Sequence, residues 1–385
     1  VKMSGYSTRK DLSTGVHDHL YVRAVAFENN GKRIVFVSTD LIGLSSILES
    51  LRVEIDSKYN IKPDELFLSA IHTHSAPTPT LNEERGHPNN IEYTKALKEK
   101  IVAAVGDALN NLTEVQVGVG VGFSPVGSNR REMMKDGSIW LGRNPNGVTD
   151  KEVLVMKIVK PDNNPIGALF DYATHATSLG PGNYLISSDV LGLSAQFVEK
   201  ILGNGVVAPV FAGASGNIDP WYRILPSFNT KNGWIPEPVL LGTMLGEEVM
   251  HVYQDIEEVH PGGEIKTAFA TLQCPRKKPS DADKARPNFR RRGTGPVPVN
   301  ITAARIGDVA FVGVSVEMCT EIGMAIKAGS PCKYTFIITH CNGGSGYLAP
   351  DNLYKEGGYE IARTAFEMGS ADMVIKKALR MLYDL

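Results

Sequence analysis

The sequence predicts an α/β fold, with mixed β-sheets flanked by α-helices. Apolar runs of strand length recur along the chain and alternate with segments of helical spacing, which is typical of this class. The clearest amphipathic helix is predicted over residues 92–109. No internal sequence repeat and no sharp change of composition divides the chain. We therefore expect a single domain over residues 1–385.

The elements follow from turn residues and apolar periodicity taken in order. Asn29-Asn30-Gly31 separates the first two strands, Pro63 precedes the third, and Gly307-Asp308 forms the turn of a late hairpin. Ser188-Asp189 is the expected N-cap of the third helix. The predicted strands are 20–27, 34–39, 65–69, 115–121, 153–159, 166–172, 206–211, 299–306, 309–314 and 334–339, and the predicted helices are 45–59, 92–109, 189–202, 240–257 and 371–382.

Composition excludes several classes of function. The chain has 385 residues, 42% of them hydrophobic, which is enough for a large core. A net charge of −2 gives no electrostatic basis for binding nucleic acid. No apolar run approaches the roughly 20 residues that cross a bilayer. The four cysteines lack metal-site spacing, and no signal peptide is visible, so the expected location stays open between secreted or periplasmic and cytoplasmic.

One segment is strongly basic, although the net charge of the whole chain is only −2. Residues 274–298 are rich in proline and arginine and predict an exposed excursion. A lid facing the substrate is the alternative interpretation.

A histidine pair is the strongest chemical signal. His72 and His74 follow the apolar strand 65–69 and are separated by one residue, so they project from the same side of an extended chain. Two neighbouring imidazoles at a strand end can bind a divalent metal, and zinc is the first candidate. A hydrogen-bonded structural pair is the alternative.

Two further residues have the chemistry to complete such a site. His175 follows the strand 166–172, and Glu317 follows the strand 309–314 within an apolar context. Burying a carboxylate is costly unless it is paired or bound to a metal. A shared metal explains all three positions, and catalytic zinc sites draw three or four ligands from different strand ends while leaving room for water.

The small-residue turn Gly213–Gly216 has two simpler explanations that its sequence disfavours. It lacks the lysine and the spacing of a phosphate-binding loop. Ser215 lies outside a Gly-x-Ser-x-Gly nucleophile elbow. We expect a tight turn, with Asn217 and Asp219 supporting the site.

The ordered motifs resemble the catalytic domain of the neutral/alkaline ceramidase family, zinc amidases that cleave N-acyl sphingosine. The matching pieces run along almost the whole chain, and each is weak alone while the ordered series is fairly specific. His17-Asp18 followed by Leu20-Tyr21 looks closer to the bacterial and archaeal ceramidase-like branch. The pieces are Gly5-Tyr6-Ser7-Thr8-Arg9, Gly15–Asp18, Tyr21–Ala24, His72–Ser75 with Pro77, Asn129-Arg130, Ala173–His175 with Ser188-Asp189, Ser215–Pro220, Val316-Glu317 and Gly346–Leu348 through Gly358–Glu360.

The resemblance implies roles for single residues. The zinc ligands would be His72, His175, Glu317 and Tyr347. His74 would be the general base, or the outer partner of the metal's water. Arg130 and Tyr359 would hold the substrate or the oxyanion, and Asn217 would lie at the substrate. Tyr347 comes from the resemblance alone, since a tyrosine in a glycine-rich loop is usually a packing residue.

The expected function is zinc-dependent hydrolysis of an amide in a ceramide or related N-acyl compound, small or lipidic, by a metal-activated water. The family's full-length members carry a C-terminal immunoglobulin-like domain, and we expect none within residues 1–385. A zinc-dependent esterase or lactonase on the same site is one alternative, because the same nucleophile attacks either carbonyl. A non-catalytic binding domain is the other.

Overall fold

The computed structural model describes residues 1–203, 205–220, 237–278 and 293–385. The helices are α1 Leu48–Tyr59, α2 Pro88–Asn110, α3 Asp189–Leu202, α4 Glu237–Asp255, α5 Thr320–Gly329, α6 Asp351–Glu356, α7 Tyr359–Arg363 and α8 Ser370–Asp384. The strands are β1 Gly15–Val16, β2 Val22–Asn29, β3 Lys32–Thr39, β4 Leu66–Ala70, β5 Gln116–Phe123, β6 Gly127–Asn129, β7 Arg131–Met133, β8 Ile139–Leu141, β9 Glu152–Val159, β10 Pro165–Tyr172, β11 Leu185–Ile186, β12 Val210–Ala212, β13 Ile218–Pro220, β14 Ile265–Cys274, β15 Val297–Ile306, β16 Val309–Val314, β17 Glu317–Met318, β18 Tyr334–Ile338 and β19 Tyr347–Leu348.

The fold is built on one topological unit that occurs three times. In each unit an antiparallel hairpin is followed by a helix and then by a strand parallel to the second hairpin strand. The units are β2-β3-α1-β4, β9-β10-α3-β12 and β15-β16-α5-β18. The sequence shows no matching repeat, so the relationship lies in connectivity. Two antiparallel strands extend the larger sheets, giving the orders β12-β10-β9-β5 and β14-β15-β16-β18.

The three larger sheets meet in a shared aromatic core. Phe36 from the first sheet lies 4.6 Å from Phe311 of the third between ring centroids, and 6.0 Å from Phe211 of the second. Phe311 in turn stacks on Phe336 at 4.9 Å. All four side chains are fully buried. A central core of this kind holds the carboxyl ends of strands from different sheets in fixed relative positions.

Helix pairs cover the outer faces of the sheets. Buried residues of α1 and α2 form one cluster with the first sheet, those of α3 and α4 pack on the second, and α5 with α8 packs on the third. The α/β class with mixed sheets flanked by helices is therefore confirmed. Among the described residues, no helix is both long and apolar enough to cross a membrane. All four cysteines are buried free thiols.

Most predicted elements are present, with corrections at particular places. The predicted strand 206–211 is the shorter β12, and α5 and β14 were not predicted. Helix α3 begins at Asp189 as expected, but Ser188 does not cap it, because its hydroxyl donates instead to Asp18 at 2.6 Å. Residues 279–292 of the predicted basic excursion lie outside the described residues, and the excursion connects Cys274 of β14 to Val297 of β15, which pair.

A buried carboxylate between two sheets makes stability depend on pH. Asp171 of β10 accepts a hydrogen bond from the Ile337 amide of β18 at 2.9 Å, and its other oxygen has no partner among the described residues. Burial raises the pKa of Asp171 to about 7, although Lys327 partly opposes the shift. Between the unfolded pKa near 3.8 and this value, the folded state keeps a proton that the unfolded chain has lost. Stability therefore falls as pH rises through that interval.

We expect the Asp171→Asn variant to lose this pH dependence. The free energy of unfolding in urea, measured at about pH 5 and about pH 8, should fall for the unsubstituted protein by about 3 kcal/mol more than for the variant. Asp372→Asn, at an exposed position of α8, is the control and should follow the unsubstituted profile. An Asp171→Asn profile parallel to that of the unsubstituted protein would contradict the assignment.

Candidate metal centre and family

Three strand ends place the candidate ligands. His72 lies two residues after β4, His175 three residues after β10, and Glu317 three residues after β16. These strands belong to the three different topological units, so each unit supplies one side chain. The carboxyl ends of parallel strands are the usual place for a site in α/β folds.

The structure brings these side chains together. Glu317 Oε2 lies 3.4 Å from His72 Nε2 and 3.7 Å from His175 Nε2. His74 Nε2 lies 3.3 Å from His72 Nε2. The three imidazoles each present a nitrogen within 4.8 Å of the others. Residues separated by more than 240 positions in sequence thus surround one point.

The Nδ1 contacts of His72 and His175 fix which nitrogen of each ring carries the hydrogen. His72 Nδ1 lies 2.7 Å from the Ile42 carbonyl oxygen, and His175 Nδ1 lies 2.7 Å from that of Ser215. A carbonyl only accepts, so each Nδ1 is assigned the hydrogen and each Nε2 a lone pair. Burial, reinforced by the Arg130 charge, lowers the pKa of His175 and keeps that ring neutral. This is the arrangement in which histidine binds metals.

Glu317 adds a charged acceptor to the two lone pairs. Burial alone would raise its pKa, but the neighbouring His72 and His175 side chains hold the pKa of Glu317 well below its usual value. Two nitrogen lone pairs and a carboxylate oxygen therefore face one another. A cation between them satisfies all three, and the donor set of imidazole and carboxylate suits zinc.

His74 differs from the other two histidines. Its Nδ1 is buried with no partner among the described residues, whereas metal-bound histidines almost always donate that hydrogen. Its ring meets Tyr6 edge to face at 4.9 Å, and Arg9 donates to its backbone carbonyl. Burial, followed by the neighbouring His72 and His175, lowers the pKa of His74 well below its usual value. Its Nε2 faces that of His72, so the neutral ring is available to a metal as a third imidazole or to a water as a proton acceptor.

Tyr347 reaches the same point through a short strand pair. Its strand β19 runs parallel to β17, with Tyr347 directly opposite Glu317. Its hydroxyl lies 3.5 Å from His175 Nε2. Burial, together with the Glu317 carboxylate, raises the pKa of Tyr347 well above its usual value, so without a cation the phenol stays protonated. A bound divalent cation would reverse that preference.

Arg130 is a buried positioning group. Its Nε donates to Glu360 at 2.9 Å, Nη1 to Asp219 at 3.1 Å, and Nη2 to the Gly216 carbonyl at 2.7 Å and to the Tyr347 hydroxyl at 3.2 Å. These bonds use four of the five N–H groups of the guanidinium. Burial alone would lower the pKa of Arg130, but Tyr347, Asp219 and Glu360 hold it well above its usual value. Arg130 therefore ties the Tyr347 hydroxyl to the buried carboxylates of Asp219 and Glu360, and its predicted contact with the substrate or oxyanion stays a prediction.

Tyr359 and Asn217 have unequal freedom to touch a substrate. The Tyr359 ring centroid lies 5.7 Å from that of Tyr347, and its hydroxyl has no hydrogen-bond partner among the described residues. The Asn217 side chain is buried and its amide is engaged on both sides, because it accepts from Thr320 N at 2.8 Å and donates to Glu321 at 3.0 Å. Asn217 thus fixes the start of α5 behind the site, and Tyr359 keeps a free donor.

His340 also lies at the site, although it was not predicted from the sequence. Its ring stacks face to face on His72, with centroids 3.8 Å apart and planes at 11°. Each of the two residues lies two positions after the last strand of its unit, and both have positive φ, 63° for His72 and 50° for His340. The signal was available, since His340 follows an apolar strand just as His72 does. The sequence alone does not show that the strand before His340 ends beside the strand before His72, so His340 could not be assigned to the site.

Comparison with known proteins gives the family. The profile of the neutral/alkaline non-lysosomal ceramidase N-terminal domain matches residues 1–217, more than half of the chain. The chain belongs to the neutral/alkaline ceramidase family. The match includes His72, His74, Arg130 and His175. The rest of the site, from Glu317 onward, lies beyond it.

Individual ceramidases are similar over the same part of the chain. The neutral ceramidase of Oryza sativa is 31% identical over 217 residues, which cover 52% of this chain and 27% of that protein. The neutral ceramidase of Pseudomonas aeruginosa is 26% identical over 243 residues, 59% of this chain and 35% of that protein. These matches span about a third or less of the relatives' lengths.

Solved ceramidases share the fold of the whole chain. The crystal structure of the P. aeruginosa enzyme aligns with a TM-score of 0.81 at 18% identity, covering 99% of this chain and 71% of that one. A ceramidase complexed with C2 aligns with a TM-score of 0.80, also at 18% identity, covering 99% and 72%. The fold of the ceramidase family therefore extends past residue 217 to the segments that carry Glu317 and Tyr347.

Proposed function

We propose that this protein is a zinc-dependent amidohydrolase that cleaves an N-acyl compound of the ceramide type. The observation that carries the proposal is the meeting of three acceptors, with His72 Nε2 at 3.4 Å and His175 Nε2 at 3.7 Å from Glu317 Oε2. Membership of the ceramidase family supports the amide and the lipid substrate.

His72, His175, Glu317 and Tyr347 would hold the zinc ion. The ring orientations fit this role, because both histidines donate their outer hydrogens to backbone carbonyls. Bound zinc lowers the pKa of a coordinated water from about 15.7 towards 7 and polarises a carbonyl.

His74 performs the proton transfers in this scheme. Its neutral ring accepts a proton from the attacking water and returns it to the leaving amine as the C–N bond breaks. Arg9 and Tyr6 hold the residue in place from behind, through the backbone carbonyl and the ring face. A histidine positioned in this way typically accelerates the reaction about 10²–10⁴-fold.

Tyr359 stabilises the developing oxyanion. Its hydroxyl is a donor that no described residue engages, and its ring packs against Tyr347 and the Arg130 guanidinium, whose Cζ lies 5.6 Å from the ring centroid. Loss of one oxyanion donor typically costs about 2.7–4 kcal/mol of transition-state stabilisation.

A matched substrate panel tests the reaction. The zinc-loaded protein is assayed with N-dodecanoyl-ethanolamine, with the corresponding O-acyl ester and with a ceramide. We expect hydrolysis of the amides, loss of activity on chelation and recovery when zinc is returned. Cleavage of the ester and of lactones without amide hydrolysis would instead identify an esterase or lactonase. A protein that binds zinc but hydrolyses none of these compounds would contradict the proposal.

A further inference from the structure

We propose that Trp140 is a specificity-determining residue that packs against an apolar chain of the substrate at the entrance to the metal centre. The inference rests on the proposed function and adds a binding surface to the same site. Trp140 lies at the middle of β8, and 47% of its surface is exposed. Single exposed apolar residues are common, so the case depends on what Trp140 touches.

Trp140 is the outer member of an aromatic series that leads to the candidate ligands. Its ring meets Tyr359 edge to face, with centroids 5.8 Å apart and planes at 86°. Tyr359 meets Tyr347 in the same manner at 5.7 Å, and Tyr347 lies 6.5 Å from His175 between centroids. Contiguous rings thus connect the exposed indole to a proposed metal ligand through the proposed oxyanion donor.

The hairpin that carries Trp140 is anchored to the site. Arg131 of β7 donates to Glu360 at 2.8 Å and to the Gly357 carbonyl at 2.8 Å, and Glu360 also accepts from Arg130. The backbone amide of Gly142, directly after β8, donates to the Arg130 carbonyl at 2.8 Å. The indole is therefore held at a fixed position relative to Tyr359.

The Trp140 indole can provide an apolar binding surface beside the polar metal centre. The reacting carbonyl needs the polar groups, whereas the hydrocarbon chain of an N-acyl lipid needs apolar surface. A chain lying along Trp140 would remove both its own methylene groups and the indole from water. The chain is the acyl group or the alkyl group of the amine, and the two sources have the same chemistry.

The same hairpin offers a matched control. Met133 of β7 is opposite Ile139, so it lies on the other face of the hairpin from Trp140. It is 72% exposed, more than Trp140. Truncating Met133 removes exposed apolar surface from the hairpin without altering the aromatic series.

The experiment measures chain-length dependence in two substrate series. One series is N-acyl ethanolamines from acetyl to dodecanoyl, and the other is N-acetyl alkylamines from ethyl to dodecyl. We expect Trp140→Ala to lower the ratio of kcat/KM for the longest to the shortest substrate by about tenfold in one series, mainly through KM. Trp140→Phe should retain most of the ratio, and Met133→Ala should match the unsubstituted protein. The series that responds identifies the chain.

A binding measurement separates this inference from the proposed function. Isothermal titration with N-dodecanoyl-ethanolamine and N-acetyl-dodecylamine needs no turnover, and Trp140→Ala should bind the responsive compound about tenfold more weakly. If the unsubstituted protein hydrolyses nothing, the proposed function fails and the titration alone decides. An equal loss at every chain length, or unchanged ratios and affinities in both series, would overturn the role of Trp140.

Discussion

Replacing His72 with alanine is expected to release the metal and abolish hydrolysis. His72 Nε2 lies 3.4 Å from Glu317 Oε2, and its Nδ1 is held by the Ile42 carbonyl. Without His72, the proposed site keeps only one of the two imidazoles whose orientation a backbone carbonyl fixes. Zinc affinity should fall by more than the roughly 10–100-fold lost when an outer partner of a ligand is removed. Glu317→Ala should behave in the same way. Metal content after dialysis and the hydrolysis rate are the two measurements.

His74→Ala separates the proposed base from the ligands. Because His74 Nδ1 lacks the carbonyl partner that His72 and His175 possess, we expect the variant to keep its metal and lose about 10²–10⁴-fold in kcat. His251→Ala, at an exposed position of α4, is the control and should leave both quantities unchanged. A His72→Ala protein that retained stoichiometric zinc would remove the basis of the ligand assignment.

Replacing Arg130 with glutamine is expected to destabilise the whole protein. The substitution removes the cation that pairs with the buried carboxylates of Asp219 and Glu360. Breaking a buried pair by removing one partner typically costs about 3–5 kcal/mol. The loss should appear as a lower free energy of unfolding in urea, together with reduced activity because Tyr347 loses its donor.

Tyr359→Phe is the contrasting substitution beside Arg130. Since the Tyr359 hydroxyl has no partner among the described residues, its removal should leave the free energy of unfolding unchanged and lower kcat. A Tyr359→Phe variant with normal kcat, or an Arg130→Gln variant of normal stability, would contradict the division of roles between positioning and oxyanion binding.

Sequence patterns predict the elements better than they predict the long-range arrangement. The strand before His72 and the helix 92–109 follow from apolar periodicity, and both are present as β4 and α2. Strand β14 was missed because its side chains are mostly half-buried and give no clear alternation. The three topological units could not be predicted, because connectivity depends on pairings between residues far apart in sequence.

Some residues of the candidate site could be predicted from the sequence and others could not. His72, His175 and Glu317 follow strands, so residue type and position were sufficient to select them. Tyr347 and Tyr359 came only through the family resemblance, since tyrosine in a loop has no distinctive pattern. Glu360 and His340 were missed, because their importance arises from contacts with Arg130 and His72 that only the folded chain creates. Asn217 was expected at the substrate, but its amide is bound to Thr320 and Glu321.

X-ray absorption at the zinc edge of the reconstituted protein tests the central claim most directly. The proposed site predicts one zinc per chain with only nitrogen and oxygen neighbours, at about 2.0–2.2 Å, and the multiple-scattering pattern of two imidazoles. Loss of one imidazole signal in His175→Ala, but not in His74→Ala, would match the assigned ligands. A spectrum with sulfur at about 2.3 Å, or a protein that takes up no zinc, would contradict the account.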